Sequence, residues 1–530
     1  MNDMLMGIET EYAVGGTHRE AVIKKIAEYI DAGIPSLRGG GLFDRYLANG
    51  ARFYVDSGWH PEWSTPECSN PTDTLRYALA GDKILSDAFD RARGDVNTGA
   101  GAGLYKGNVD YSGAKTTWGS HESYLHQSYP PTLPAQLIPH LVSRVVYAGA
   151  GGFNPLSAGI EFTLSPRAWH LEHDVSDSST AQRGIFHTKN ESLATRQYRR
   201  LHLLCGESLC SHIASWLRIG TTALVVRMIE AEVQPGAAMK LPSPIEALRR
   251  FVDDPTCQAT AACAGGGQVR AVDIQRYYLR IAERNLGREW MPPWAEGVCR
   301  AWREMLDRIE NRPETLSSTL DWAIKLPIYR DLAERSGIPW SDLPAWTHVL
   351  SGIREGLRKS PYQKRATVEL ILGKLSEPSP IPDTVKALTP YVEDHSLGWD
   401  MMRPVVDLRK ELFELEFRFS QLGGDGLFAR LDRAGVLDHR VPGVENIDRA
   451  AIRPPAGGRA QLRGARIKKF AGRQEFCCSW VAIYDLAGRR KLDLADPFAA
   501  QARWKKFPVP DRMEREQLRL FLGLGGGNET

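Results

Sequence analysis

Residues 52–67 read RFYVDSGWHPEWSTPE, and residues 7–12 read GIETEY. Both stretches carry carboxylates at strand spacing. In an extended chain, Ile8, Thr10, Tyr12 and Val14 take one side and Glu9 and Glu11 the other. By the same rule Arg52, Tyr54 and Asp56 share a side, with Phe53 and Val55 pointing into a core. Glu62 and Glu67 follow directly, in a segment read as a loop stiffened by Pro61 and Pro66. A carboxylate buried alone in an apolar medium costs several kcal/mol and takes up a proton instead. Two strands that each give a face to carboxylates therefore need water or a cation there. Oxygen donors suit Mg2+ or Mn2+ rather than zinc. An arginine beside such an ion points to phosphate, which its planar fork grips. A nucleotide–metal site is the chemistry these residues are suited to. A sheet with one solvated face has the same alternation, and the two glutamates held immediately after the strand favour the site.

The elements that must position these groups are read from periodicity. Strands are expected over 5–14 and 52–56, with two more joined by glycine-rich turns within 97–125. Helices are expected over 19–31, 71–92 (Pro71 in its first turn), 210–231, 299–311 and 404–419. The G-x-G-x-G at 99–103 reads as a flexible turn, because no helix opens after it. Gly265–Gly267 reads as a turn between short strands, and 338–403 as an irregular helical insert with a proline-rich break at 376–383. A strand over 475–486, carrying Trp480, and a closing helix after Asp496-Pro497 complete the pattern. The expected division is 1–449, then a small C-terminal domain over 450–512, then a flexible tail over 513–530.

At 530 residues the chain is too long for one small core. With 42% hydrophobic and 25% charged residues it has the composition of a folded protein. Its 67 basic and 64 acidic residues balance to +3, which gives no reason to expect a nucleic-acid partner. None of the eight cysteines forms a C-x-x-C pair, which fits reduced thiols in a cytoplasm. The first residues have no basic region and apolar run of a signal peptide, and no stretch approaches the ~18 apolar residues of a membrane span.

GIETEY, NGARFYVDSGWHPEWSTPEC, LYKGNVD, GSHESYL, QYRRLHLLCGES and GTTALVVRMIE, followed by VDIQRYY, STLDWAIK, GLFARLDRAGVL, RAQLRG, SWVAIYDL and DPF, resemble the Pup–protein ligase family, which also includes the Pup deamidase/depupylase. The resemblance runs in order along most of the chain. It implies an α+β, glutamine-synthetase-like fold, in which a curved antiparallel sheet is packed with helices, plus the small C-terminal domain. It implies ATP and Mg2+ on the concave face. By motif position Glu9, Tyr54 and Glu62 match metal ligands, Arg52, Thr65 and Trp480 match nucleotide contacts, and Asp56 matches the catalytic base. Asp56 has no evident capping task in the sequence. Glu11, Glu67, His121 and Glu122 are candidates for a second metal or its surroundings. His140, His187 and His202 are read as hydrogen-bonding core or surface residues, and Arg199 and Arg200 as near a modifier groove. The implied activity joins the side-chain carboxylate of the C-terminal glutamate of a small disordered Pup-like modifier to lysines of target proteins through an acyl phosphate. The reverse reaction, deamidation or depupylation, is the alternative on the same site. The opening GIETEY, the short 12–48 spacer and the C-terminal run favour the ligase. HTKNESLA at 187–194 departs from the family's usual N-T-R-D-E-P-H, which puts modifier contacts in question.

Overall fold

The computed structural model of the chain describes residues 4–41, 43–99, 101–111, 116–127, 131–189, 193–359 and 399–507. Eleven strands form one sheet: β1 (Met6–Glu11), β2 (Ser36–Arg38), β3 (Arg45–Leu47), β4 (Arg52–Val55), β5 (Pro61–Ser64), β6 (Ser120–His126), β7 (Arg199–Leu203), β8 (Phe476–Cys478), β9 (Ala482–Asp485), β10 (Arg490–Asp493) and β11 (Trp504–Lys506). Their order across the sheet is β7-β6-β1-β5-β4-β3-β2-β8-β9-β10-β11. Neighbours are antiparallel except β2 and β8, which pair in parallel at Arg38 and Cys477.

Three expectations change. Residues 61–64 are not a loop but the strand between the two acidic strands, so β1 and β4 are not direct neighbours. Pro61 is tolerated because it opens the strand, where its missing N–H matters least, and its carbonyl accepts from the Tyr12 N–H at 2.9 Å. The expected 475–486 strand is two strands joined by a turn, which Ser479 closes: its N–H donates to the Ala482 carbonyl and its Oγ accepts from the Ala482 N–H. No helix follows Asp496-Pro497 within the described residues; β11 lies there, and the rest falls outside them.

One side of the sheet is packed with helices. Helix α1 (Arg19–Gly33) buries Val22, Ile23, Ile26, Ala27 and Ile30, the stripe its spacing called for. Helix α2 (Pro71–Asp95) starts at Asn70, whose side chain accepts from the Asp73 N–H. It lies directly on β5: a Cβ at Gly81 would come within 2.5 Å of the Trp63 ring. Helix α3 (His212–Glu230) is buried around its whole circumference over Ala214–Val226, Arg218, Thr221 and Thr222 included, at the centre of the largest core. The helix Leu343–Lys359 opens the 338–403 stretch, and its Leu343 and Leu350 pack with Val405, Leu408 and Leu412. Residues 360–398 of that stretch, like the 513–530 tail, lie outside the described residues.

The C-terminal segment shares its core with the N-terminal sheet. Ile467 and Phe470, on helix α4 (Gly458–Phe470), pack with Ile483 and Leu492 and with Leu37, Tyr46 and Ala48 of the β2–β3 region. Among the described residues, no helix is long and apolar enough to cross a membrane.

Candidate functional site

Register turns the sequence pattern into a site. Glu11 lies opposite Glu62, and Glu62 lies opposite Tyr54, so β1, β5 and β4 align these three in one row. The next row runs His121, Glu9, Ser64, Arg52, Tyr46. All share the face away from α1, α2 and α3, and Tyr46 at the end of its row packs against α4. His121 sits between two carboxylates, with Nδ1 3.4 Å from Glu9 and Nε2 3.7 Å from Glu11. Arg200 of β7 comes within 4.0 Å of Glu9.

The electrostatics are those of a site shaped for a cation. Glu62 is only 4% exposed, and burial together with the charges of Glu11 and Glu9 pushes its carboxyl well above the usual range, against the bond from Tyr54. Burial and the charges of Glu62 and Glu9 likewise hold the Tyr54 phenol well above its ordinary value. Burial also raises Glu9, but the bond to His121 and the charges of His202, His121 and Arg200 outweigh it and draw Glu9 below the usual carboxylate range. Candidate donor atoms of Glu11, Glu62 and His121 lie within 4.8 Å of one another, as do those of Glu11, Asp56 and His60 and of Glu9, His121 and His202. A divalent ion among these carboxylates removes the repulsion that drives Glu62 toward its neutral form. The residues therefore fit a metal.

Beside this cluster is a cavity lined by Glu9, Ser64, Thr65, Glu67, Arg459 and Trp480, among others. The Thr65 hydroxyl accepts from the Ile8 N–H at 3.0 Å. Trp480 is not on a strand as expected but in the β8–β9 turn, edge-on to Tyr46 at 5.4 Å and with the Arg463 guanidinium 4.7 Å from its ring. Arg52 spreads over the Tyr54 ring at 4.1 Å and gives Nε and Nη2 to the Asp44 carboxylate at 2.8 and 2.9 Å. Asp44 is a residue the sequence did not single out. It is held in turn by the N–H groups of Gly40 and Gly41.

Asp56 sits one residue past β4, at the start of the turn into β5. Its Oδ1 accepts from the His60 N–H at 2.6 Å, and its Oδ2 lies 3.2 Å from His60 Nδ1. The expectation that Asp56 caps nothing is thus wrong: it closes this turn. Glu122 is also misplaced as a metal candidate. Strand alternation turns it to the helix side, fully buried, where Arg144 donates to both its oxygens at 2.9 and 2.6 Å and Tyr124 at 2.6 Å. Glu67 reaches the cavity wall but is gripped by Arg459 at 2.5 Å and Arg463 at 2.6 Å. His140 is buried in the core against Thr222 at 3.1 Å, and His202 shares a bond with Ser123 at 3.2 Å beside His121.

The family model described as Pup-ligase protein matches residues 17–350 and 386–484. The chain belongs to the Pup-ligase family. The unmatched residues 351–385 fall inside the 338–403 stretch read as an insert. The Pup–protein ligase of Mycolicibacterium smegmatis is 32% identical over 514 residues, which cover 94% of this chain and 97% of that protein. The Pup–protein ligase of Acidimicrobium ferrooxidans is 30% identical, over 94% of this chain and 96% of that protein. The Pup deamidase/depupylase of M. smegmatis is 36% identical, but over 57% of this chain and 60% of that protein. Among solved structures, the complex between the prokaryotic ubiquitin-like protein Pup and its ligase PafA superposes with a TM-score of 0.69 at 23% identity, covering 99% of this chain and 93% of that one. PafA in complex with ADP gives 0.62 at 24% identity, covering 91% and 90%. The glutamine-synthetase-like fold expected of the Pup-ligase family is the fold of this member.

Proposed function

We propose that the chain is an ATP-dependent Pup–protein ligase, which joins the C-terminal glutamate side chain of a Pup-like modifier to lysines of target proteins. The observation that carries the choice of ligase over hydrolase is extent: similarity to Pup ligases runs over 94% of the chain, and similarity to the depupylase over 57%. A cytoplasmic location belongs to this reading, and the eight free cysteines agree with it.

In this reading Glu9, Glu62 and Tyr54 would hold Mg2+, with Glu11 and His121 close by. Bound there, the ion offsets charge on the triphosphate as the γ-phosphoryl group moves. Arg52 contacts the phosphates through its Nη1, since Nε and Nη2 are engaged by Asp44. Thr65 and Trp480 line the nucleotide's cavity. The modifier's carboxylate oxygen attacks the γ-phosphorus, ADP leaves, and an acyl phosphate forms. The lysine nitrogen then attacks the acyl carbon, and inorganic phosphate leaves as the isopeptide bond closes. A lysine with a pKa near ~10.4 arrives protonated; Asp56 takes one proton before the nitrogen attacks, and the second leaves with the phosphate.

Incubation with ATP, Mg2+, a lysine-bearing protein and Pup ending in Glu should add the modifier's mass less one water. Incubation with Pup ending in Gln should leave that Gln intact. Conversion of Gln to Glu without conjugation would reverse the assignment. Asp56→Asn should bind ATP as the wild type does and conjugate at least about a hundredfold more slowly.

A further inference from the structure

The five residues Asp56–His60 make a small closed unit. The Asp56 N–H donates to the His60 carbonyl at 3.0 Å, and the Trp59 N–H donates to the Asp56 carbonyl at 3.2 Å. Trp59 takes a positive φ of 61°, which turns the chain back on itself. That return carries the His60 N–H to Oδ1 of Asp56 and the His60 ring to Oδ2. An ionised carboxylate only accepts, so the ring contact requires the proton on Nδ1. Both oxygens of Asp56 are therefore held by one residue.

The ring is itself held. It stacks on Trp118 with centroids 5.3 Å apart and planes 21° apart. Trp118 is buried and anchored by its N–H to the Asn108 carbonyl at 3.2 Å. Space for the ring is reserved at Gly58. A Cβ there would lie 2.8 Å from His60 Nδ1 and 3.3 Å from Asp56 Oδ2. The φ of Gly58 is not among the positive ones, so what this glycine supplies is room rather than an unusual backbone.

Asp56 needs such a hold. Its side chain is 25% exposed, and Glu11 has a carboxylate oxygen within 4.8 Å of the Asp56 and His60 donor atoms. A free aspartate at a strand end would swing toward water, away from that like charge.

We propose that His60 is the positioning residue of this site: through Nδ1–H it fixes the Asp56 carboxylate in the orientation that receives the proton of the incoming lysine. Trp118 and the bare Gly58 set the ring for that task. This rests on the reading of Asp56 as the base.

The test uses the full chain with ATP, Mg2+, Pup ending in Glu and a lysine-bearing target protein, comparing wild type, Asp56→Asn, His60→Ala, His60→Asn, His60→Gln and Gly58→Ala, each checked for a cooperative melt. His60→Ala should lower kcat for conjugation by about ten- to a hundredfold, the cost of a catalytic group displaced by about an ångström. KM for ATP should stay within about twofold, because the nucleotide's contacts are untouched. His60→Asn places an amide nitrogen where Nδ1 stood and should recover most of the rate. His60→Gln places its nitrogen where Nε2 stood and should not. Gly58→Ala should behave as His60→Ala does. Full kcat in His60→Ala, or an Asn variant no better than the Gln variant, overturns the proposal. A wild-type chain that does not conjugate, or an Asp56→Asn variant that does so normally, would instead sink the reading of Asp56, so the two failures can be told apart.

Discussion

The buried carboxylate Glu62 sits among like charges. It faces Glu11 on one strand and Tyr54 on the other, with Glu9 one row away. Burial and like charges favour its neutral form, which is the state an ion must displace. Glu62→Gln keeps the volume and removes the charge. In chelator at neutral pH this variant should melt higher than the wild type, because burial and the charges of Glu11 and Glu9 make the wild-type carboxyl take up a proton on folding and Gln need not. Its affinity for Mg·ATP should fall by about tenfold or more, and the rise in melting temperature that Mg·ATP gives the wild type should shrink accordingly. Differential scanning fluorimetry with and without Mg·ATP reads both effects, and an unchanged Mg·ATP shift would remove Glu62 from the ion's ligands. At this scale the sequence was informative where function lies in alternation. Glu9, Glu11, Arg52, Tyr54 and Asp56 all take the face their spacing assigned. It misled at Glu122, because GSHESYL places a histidine and a glutamate side by side, and neighbours in a strand take opposite faces. It was silent on Asp44, which reaches Arg52 through the pairing of β3 and β4, a relation no local spacing carries.

Elements show the same division between local and non-local information. Helices α1 and α3 were legible because their burial patterns are periodic or continuous within one segment. Strand β5 was not, because it is only four residues long and runs from Pro61 nearly to Pro66, a spacing that reads as a loop. It becomes a strand only since β1 and β4 bond it from both sides. Trp480 was placed on a strand because its turn, closed by Ser479, contains neither glycine nor proline. Strand β5 also shows how tightly an element behind the sheet sets the face in front. Trp63 and Glu62 are adjacent on it, and Trp63 is pressed on α2 at Gly81. Gly81→Ala should push α2 off Trp63 and destabilise the chain by about 1–3 kcal/mol, the usual cost of overpacking. Because Trp63 and Glu62 move together, KM for ATP should also rise. Denaturant unfolding and ATP kinetics on the same preparation check both; lost stability with unchanged kinetics would separate the packing from the site.

Across the whole molecule, the cavity lined by Thr65 and Trp480 has two walls far apart in sequence, the N-terminal strands and the segment that carries Trp480. Two arginines of α4 join them at one carboxylate: Arg459 and Arg463 both donate to Glu67, and Arg463 also donates to the Gly50 carbonyl at 2.8 Å. Burial raises the Glu67 carboxyl, but the charges of Arg463 and Arg459 and their bonds outweigh it, lowering it from 4.5 to about 2. A folded-state value below the unfolded one means that this clasp adds stability above the unfolded value and loses it as pH falls through the folded one. At neutral pH the displacement corresponds to about 3 kcal/mol at ~1.36 kcal/mol per unit. Glu67→Gln should therefore be less stable than the wild type at pH 7 by about that much, since it leaves two buried guanidiniums without their counter-charge. The gap should narrow as pH is lowered from about 4.5 toward about 2, where the wild-type carboxylate takes up its proton as well. Denaturant titrations of both proteins at stepped pH measure the gap, and a difference that stays constant over that interval would show that Glu67 is not charged in the fold. Because Glu67, Arg459 and Trp480 line the same cavity, the same variant should bind ATP more weakly at neutral pH even where it is fully folded. Saturating nucleotide should in turn stabilise the wild type more than the variant, since one ligand braces both walls.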